Sequence, residues 1–209
     1  MTRNCHSGRL VDARDFRDAS GFSLIELMAT MVLLVTLAAF ILPFTRTTLS
    51  AMNLSSDARN LSSATALAKM RAAAEFSKAR VHVNYASKTF WVERWQKTAP
   101  IGWVSEGVIT TLSSNVNFGF GGLATPPPNT QAAIAQATAC LDNAGAAIAG
   151  SGCIVFNSRG VPIDAANVPT PDGAYYVTAD QTVYGITTGA GGLIQLWQNN
   201  IVSNTWSLK

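Results

Sequence analysis

Between Phe22 and Phe44 the sequence reads FSLIELMATMVLLVTLAAFILPF, and Glu26 is its only charged residue. At 1.5 Å per residue a helix of this length spans roughly the 30 Å core of a bilayer, so the run predicts a transmembrane helix over 22–44. It is too long for the apolar region of a secretory signal, and no small-residue cleavage site follows it. Arg3, Arg9, Arg14 and Arg17 precede the run, whereas Arg46 and Arg59 are the nearest basic residues after it. This bias places the N-terminus in the cytoplasm and the remainder outside. The composition agrees. Of 209 residues, 48% are hydrophobic and only 13% charged, against about 25% charged in an ordinary soluble domain. The net charge of +3 gives no reason to expect a strongly basic nucleic-acid binder.

Beyond the run, Thr45 to Arg80 lacks Gly and Pro and is rich in Ala, Ser and Leu. Leu54, Ala58, Leu61, Thr65, Ala68, Ala72, Phe76 and Ala79 recur at steps of three and four, which predicts an amphipathic helix over 45–80 with a face of small residues. Pro43 lies inside the combined run, and a kink or local melting is expected near Leu42. After Arg80 the period becomes two. Val81, Val83 and Tyr85, then Phe90, Val92 and Arg94, predict a hairpin turning at Ala86-Ser87-Lys88. Further strands are expected at 108–112, 116–120, 153–157, 175–178, 183–187 and 193–198. Residues 121–152 are rich in Gly, Ala and Pro and read as a long irregular loop, with a short helix at 131–139. The outline is α+β, a long N-terminal helix followed by an antiparallel β domain over 81–209.

The residues Gly21-Phe22-Ser23-Leu24-Ile25-Glu26-Leu27 resemble the class III signal of type IV prepilins and type II secretion pseudopilins. The resemblance implies that residues 1–21 are a cleavable leader. A prepilin peptidase/N-methyltransferase would cut after Gly21 and methylate the amine of Phe22. Glu26 would be the fifth mature residue, and Pro43 would fall where many members also carry Pro, so both are expected to serve assembly. A carboxylate in an apolar span costs roughly 2.5–3.5 kcal/mol on insertion scales and needs a partner. The freed amine of Phe22, one turn away or on a neighbouring subunit, supplies one. The plainer alternative is an uncleaved anchor whose Glu26 lies near the interface.

The downstream half is similar to the GspH/FimT group of minor pseudopilins and minor pilins. The similarity rests on the long helix, the hairpin at 81–95, the segment Ile154-Val155-Phe156-Asn157-Ser158-Arg159-Gly160 and the strand Leu193-Ile194-Gln195-Leu196-Trp197. It implies a type IV pilin-like fold, with the helix packed on an antiparallel sheet or sandwich and Gly160 in a tight turn. It also implies the other pseudopilins or pilins, the inner-membrane assembly platform and the lipid bilayer as partners. The expected location is the bacterial inner membrane, single-pass, with the C-terminal domain periplasmic. The implied function is that of a non-enzymatic subunit initiating or capping a filament in type II secretion or type IV pilus biogenesis. The alternative is a membrane-tethered tip module that recognises DNA or a secreted substrate. Nucleic acid is the less favoured partner, because Gly191-Gly192-Leu193-Ile194 lacks the Arg residues that DNA-binding members of the group carry there.

With Cys5 in the leader, Cys140 and Cys153 remain as an even pair, and outside the cytoplasm a disulfide is expected. Two unrelated buried thiols are the alternative. A bridge closing about 14 residues contributes on the order of 3 kcal/mol by the chain-entropy model. Lys69, Arg71, Lys78 and Arg80, with Glu75 among them, are expected to form the solvated side of the helix. Contact with nucleic acid or with the acidic residues Glu106, Asp142, Asp164, Asp172 and Asp180 of another subunit is the sharper reading. No P-loop, dinucleotide fingerprint, zincin helix or nucleophile elbow occurs. His82 is the only histidine after the leader, so no catalytic residue, cofactor or metal site is expected. Trp91, Trp95 and Trp103 are expected in the core or in subunit contacts; stacking on a sugar or protein substrate is the alternative.

Overall fold

From Phe22 to Ile101 the chain contains no glycine, and its first element is accordingly one helix, α1, spanning Leu24–Ala74. The computed structural model describes residues 21–209, without the side chains of residues 40–46. The leader expected over 1–21 and Cys5 therefore lie outside the described residues except for Gly21, as does the side chain of Pro43. Pro43 itself falls within the helical bounds of α1. The chain divides into two units, Met1–Phe44 and Thr45–Lys209. In the first, Gly21, Phe22 and Ser23 are non-helical, and the apolar side chains from Leu24 to Leu37 are exposed on all sides of the helix. Among the described residues no helix is long and apolar enough to cross a membrane. The full span expected over 22–44 is not obtained from them, since the side chains of residues 40–44 fall outside the described set.

In the second unit α1 ends six residues before the expected Arg80. The cause is local. Phe76 takes a left-handed conformation, φ 47°, its N–H donates to Ala73 O, and the Ser77 N–H donates to Ala72 O. This pairing is a Schellman cap with Phe where Gly is usual. The expected stripe is buried up to that point, with Leu54, Ala58, Leu61, Thr65, Ala68 and Ala72 at most 1% exposed. Phe76 lies past the turn and is exposed.

Two five-stranded antiparallel sheets complete this unit. The first has the order β3-β2-β1-β5-β6, built from β1 (Ala79–Asn84), β2 (Thr89–Gln96), β3 (Gly102–Thr111), β5 (Ser151–Phe156) and β6 (Pro162–Ile163). The second has the order β10-β9-β8-β7-β4, built from β4 (Asn117–Phe118), β7 (Ala174–Ala179), β8 (Thr182–Thr188), β9 (Ile194–Asn200) and β10 (Thr205–Leu208). The α1 stripe shares one core with Val81, Val83, Phe90 and Phe156 of the first sheet and Tyr175, Val177 and Ile186 of the second. Tyr175 ties the sheets together. Its buried hydroxyl donates to Val81 O at 2.7 Å and accepts from the Ile154 N–H at 2.8 Å.

The hairpin at 81–95 forms as expected, with Asn84 opposite Thr89. Strand β3 starts six residues earlier than its expected 108. Its register against β2 shifts between Phe90 and Val92, and Gly107 at φ 80° bulges the strand so that Val108 and Ile109 stand in solvent. The strand expected at 116–120 is only two residues long, and β6 and β10 are additional.

The loop over 121–152 contains no helix at 131–139. Glutamine side chains there act as backbone instead. Gln136 Nε2 donates to Tyr176 O, and its Oε1 accepts the Tyr176 N–H. Gln131 Nε2 donates to Ala135 O and Asp172 O, and the Tyr176 hydroxyl donates to Gln131 Oε1. This part of the loop brings Leu123 and Ile134 against Tyr176 and Val183, a second small core on the outer face of the second sheet.

Candidate functional site

The N-terminal junction is the first candidate. Gly21 stands before the helix, with nothing among the described residues within 4 Å of where a Cβ would be, and Phe22 is 80% exposed. Ser23 begins the helix: its carbonyl accepts the N–H groups of Glu26 at 3.0 Å and Leu27 at 3.1 Å. Glu26 is the acidic residue of the first turn, where a negative charge is favoured by the helix N-terminus. Ser23 and Glu26 also have the spacing of a capping box. The hydroxyls of Thr30 and Thr36 are spent on Leu27 O and Leu33 O, both at 2.9 Å. The segment therefore keeps its polar side chains satisfied within the helix or gathered at its start.

The second candidate lies on the first sheet, where Ala79, Val81 and Val83 face the core and Arg80 and His82 face the other way. Cys140 and Cys153 are disulfide-bonded with their Cα atoms 4.9 Å apart. The bridge fastens the second part of the long loop over this face, since Cys153 N–H donates to Thr138 O and Ile148 N–H to Cys140 O. Beneath it, Arg80 Nε donates to Glu93 Oε2 at 2.6 Å, and a terminal nitrogen donates to Leu141 O at 2.6 Å. The guanidinium also lies 3.9 Å from the centroid of Trp103. Glu93 accepts the Trp91 indole N–H at 2.8 Å, and Trp91 stacks on His82 with centroids 4.3 Å apart. His82 Nδ1 comes within 3.3 Å of Glu93 Oε1 without the alignment of a hydrogen bond.

Burial raises the Glu93 carboxyl. His82, the Arg80 charge and the Trp91 N–H outweigh it and hold the group down at about 2. Burial lowers the Arg80 pKa, with Glu93 opposing. His82 and the two sulfurs lie within 4.8 Å of one another. With the sulfurs bonded to each other they do not form a ligand set.

This arrangement corrects the solvated reading of the basic cluster for Arg80 and Lys69, while Arg71 stays exposed. Arg80 is 2% exposed and lies on β1, beyond the helix. Arg71 pairs with Glu106 of β3 at 2.5 Å, and Lys69 Nζ donates to Gly192 O at 2.8 Å. The Lys69 stem passes over two turns in which Gly160 and Gly192 have φ of 71° and 78°. A Cβ on Gly160 would lie 3.0 Å from that stem, and one on Gly192 would lie 2.2 Å from Gly160 O. The tight turn expected at Gly160 is thus present, and it is a seat for Lys69. Of the expected site residues, the structure joins Cys140 to Cys153. Gly21 and Phe22 immediately precede α1, and Glu26 lies in its first turn. The buried Arg80–Glu93 pair escaped the reading of the sequence, although a hairpin centred on 86–87 already sets residue 80 opposite residue 93 and residue 82 opposite residue 91.

Comparison with known proteins bears mainly on the junction. Residues 16–42 match the family model described as the prokaryotic N-terminal methylation motif. No curated protein matches the sequence. Two solved structures of the minor pseudopilin EpsH from the type 2 secretion system of Vibrio cholerae are similar to the chain. One is 12% identical, with a TM-score of 0.42, covering 69% of this chain and 94% of that one. The other is 16% identical, with a TM-score of 0.41, covering 69% and 92%. The chain carries a prepilin-type methylation motif and an α+β architecture.

Proposed function

We propose that this chain is a minor pilin or pseudopilin, anchored in the inner membrane by residues 22–44 and assembled into a filament of a type II secretion or type IV pilus system. The observation that carries the reading is the junction: Gly21, then Phe22, then Glu26, at the head of an apolar helix inside the matched 16–42 segment. A prepilin peptidase cuts after Gly21, which itself carries no side chain, and methylates the new amine of Phe22. The freed amine is a cation, and the Glu26 carboxylate of a neighbouring subunit neutralises it in a medium where either charge alone is costly. Docking that brings the two together aligns each new helix with its neighbours. Pro43 ends the span and lets the helix adjust between lipid and periplasm.

The role is structural, at filament initiation or capping, and the rest of the chain is a periplasmic domain stapled by Cys140–Cys153. Co-expression with a prepilin peptidase tests the processing step: the wild-type chain gains electrophoretic mobility and Gly21→Val does not. Unaltered mobility of the wild type with an active peptidase would contradict it. Glu26→Gln should be cut normally and fail to co-purify with its filament partners.

A further inference from the structure

The outer face of the first sheet holds a groove of about 680 Å³ that the filament role leaves unused. Its floor includes Lys78, Arg80, Trp95 and Trp103, and its rims are the turns at 142–145 and 164–167. Trp95 and Trp103 are cross-strand partners, edge to face with centroids 5.2 Å apart, and both are half-buried. Trp91, the third tryptophan of this face, is occupied by His82 and Glu93 and does not line the groove.

The charges on the groove limit what it can hold. Arg80 is spent on Glu93 and Leu141 O. That leaves Lys78 against Asp142 and Asp164 among the charged lining residues, with no positive excess to hold a phosphate or nucleic acid. Asp142 Oδ1 accepts the N–H groups of Ala144 and Ala146, and Asp164 Oδ1 accepts that of Val168. Their Oδ2 atoms, the Lys78 ammonium and the two indole N–H groups make no hydrogen bond among the described residues. A purely apolar segment laid here would strand those groups without water. A pyranose ring satisfies both demands, with its C–H face against indole and its hydroxyls reaching donors and acceptors of either charge.

We infer that this groove binds a neutral oligosaccharide, with Trp95 as the stacking platform, Trp103, one face of which carries the Arg80 guanidinium, as its edge-to-face support, and Lys78, Asp142 and Asp164 as hydroxyl partners. The site is independent of the junction and of processing there.

The test is titration of the full chain, in a phosphocholine detergent that carries no sugar headgroup, with cellotetraose and with the N-acetylglucosamine tetramer. Tryptophan fluorescence and calorimetry read the binding. Saturable binding of either sugar, insensitive to added salt, is expected. Trp95→Ala should weaken it about tenfold, Trp103→Phe and Lys78→Ala less, and Trp197→Phe on the second sheet not at all. Lys78 makes no side-chain hydrogen bond among the described residues, so its variant keeps the test meaningful if the tryptophan variants unfold. Absence of saturable binding by both sugars would overturn the inference. So would binding that all three groove variants leave unchanged, or a salt-sensitive preference for an anionic oligosaccharide.

Discussion

Residues 24–39 and residues 47–74 carry the same helical secondary structure and bury their apolar side chains in opposite ways. In the first stretch Leu24, Ile25, Val32, Leu34 and Val35 are between 61% and 77% exposed. In the second, Leu54 and Leu61 are at most 1% exposed, and alanines complete a narrow stripe into a core made with both sheets. A helix that is apolar on every side finds its partners outside its own fold, whereas a one-faced helix finds them within it. The first stretch is the anchoring and assembly part of the proposed function, and the second belongs to the β domain. Substitutions in the two stretches should accordingly be felt in different assays.

The largest effect on the β domain is expected from Arg80→Met, which strands Glu93 in a buried setting and should cost about 4 kcal/mol in urea unfolding. Leu61→Ala should cost about 3 kcal/mol through the cavity it leaves in the shared core. Loss of the bridge in Cys140→Ser/Cys153→Ser should cost about 3 kcal/mol, measured by the same method without reductant. A smaller, pH-dependent effect comes from Glu93. Its folded value of about 2 lies below the ordinary 4.5, so its stabilisation is complete above the unfolded value and is lost as pH falls from about 4.5 towards 2. The gap in urea midpoint between wild type and Glu93→Gln should therefore be narrower at pH 3 than at pH 7. Val35→Ala should leave the unfolding midpoint of the β domain unchanged, within about 0.5 kcal/mol. A larger loss would mean that the two stretches are not separate in their energetics.

Parts of this division are legible in the sequence for simple reasons. A three-and-four step marks Leu54 to Ala72 because a helix repeats its faces, and alternation marks the 81–95 hairpin because a strand does. The end of α1 at Ala74 was hidden because a phenylalanine occupies the left-handed cap that Gly normally advertises. The missing helix at 131–139 has a different cause: Gln131 and Gln136 give their amides to the edge of β7 and to neighbouring backbone, and no local periodicity reports such tertiary bonds. The Arg80–Glu93 pair was obscured when Arg80 was counted with the helix. A two-residue strand such as β6 carries too few side chains to leave a pattern. At the candidate site the junction is contiguous and could be read directly. The Trp95–Trp103 groove is assembled from β2, β3 and two distant turns and emerges only in three dimensions.

Anchoring and assembly both start at the junction, and they are tested most directly by the mass of the N-terminal peptide of the chain recovered from membranes with and without an active prepilin peptidase. A peptide beginning at N-methylated Phe22 is expected when the peptidase is present, and an intact Gly21–Phe22 bond when it is absent. Retention of residues 1–21 under both conditions would contradict it, and with it the assembly roles assigned to Phe22 and Glu26.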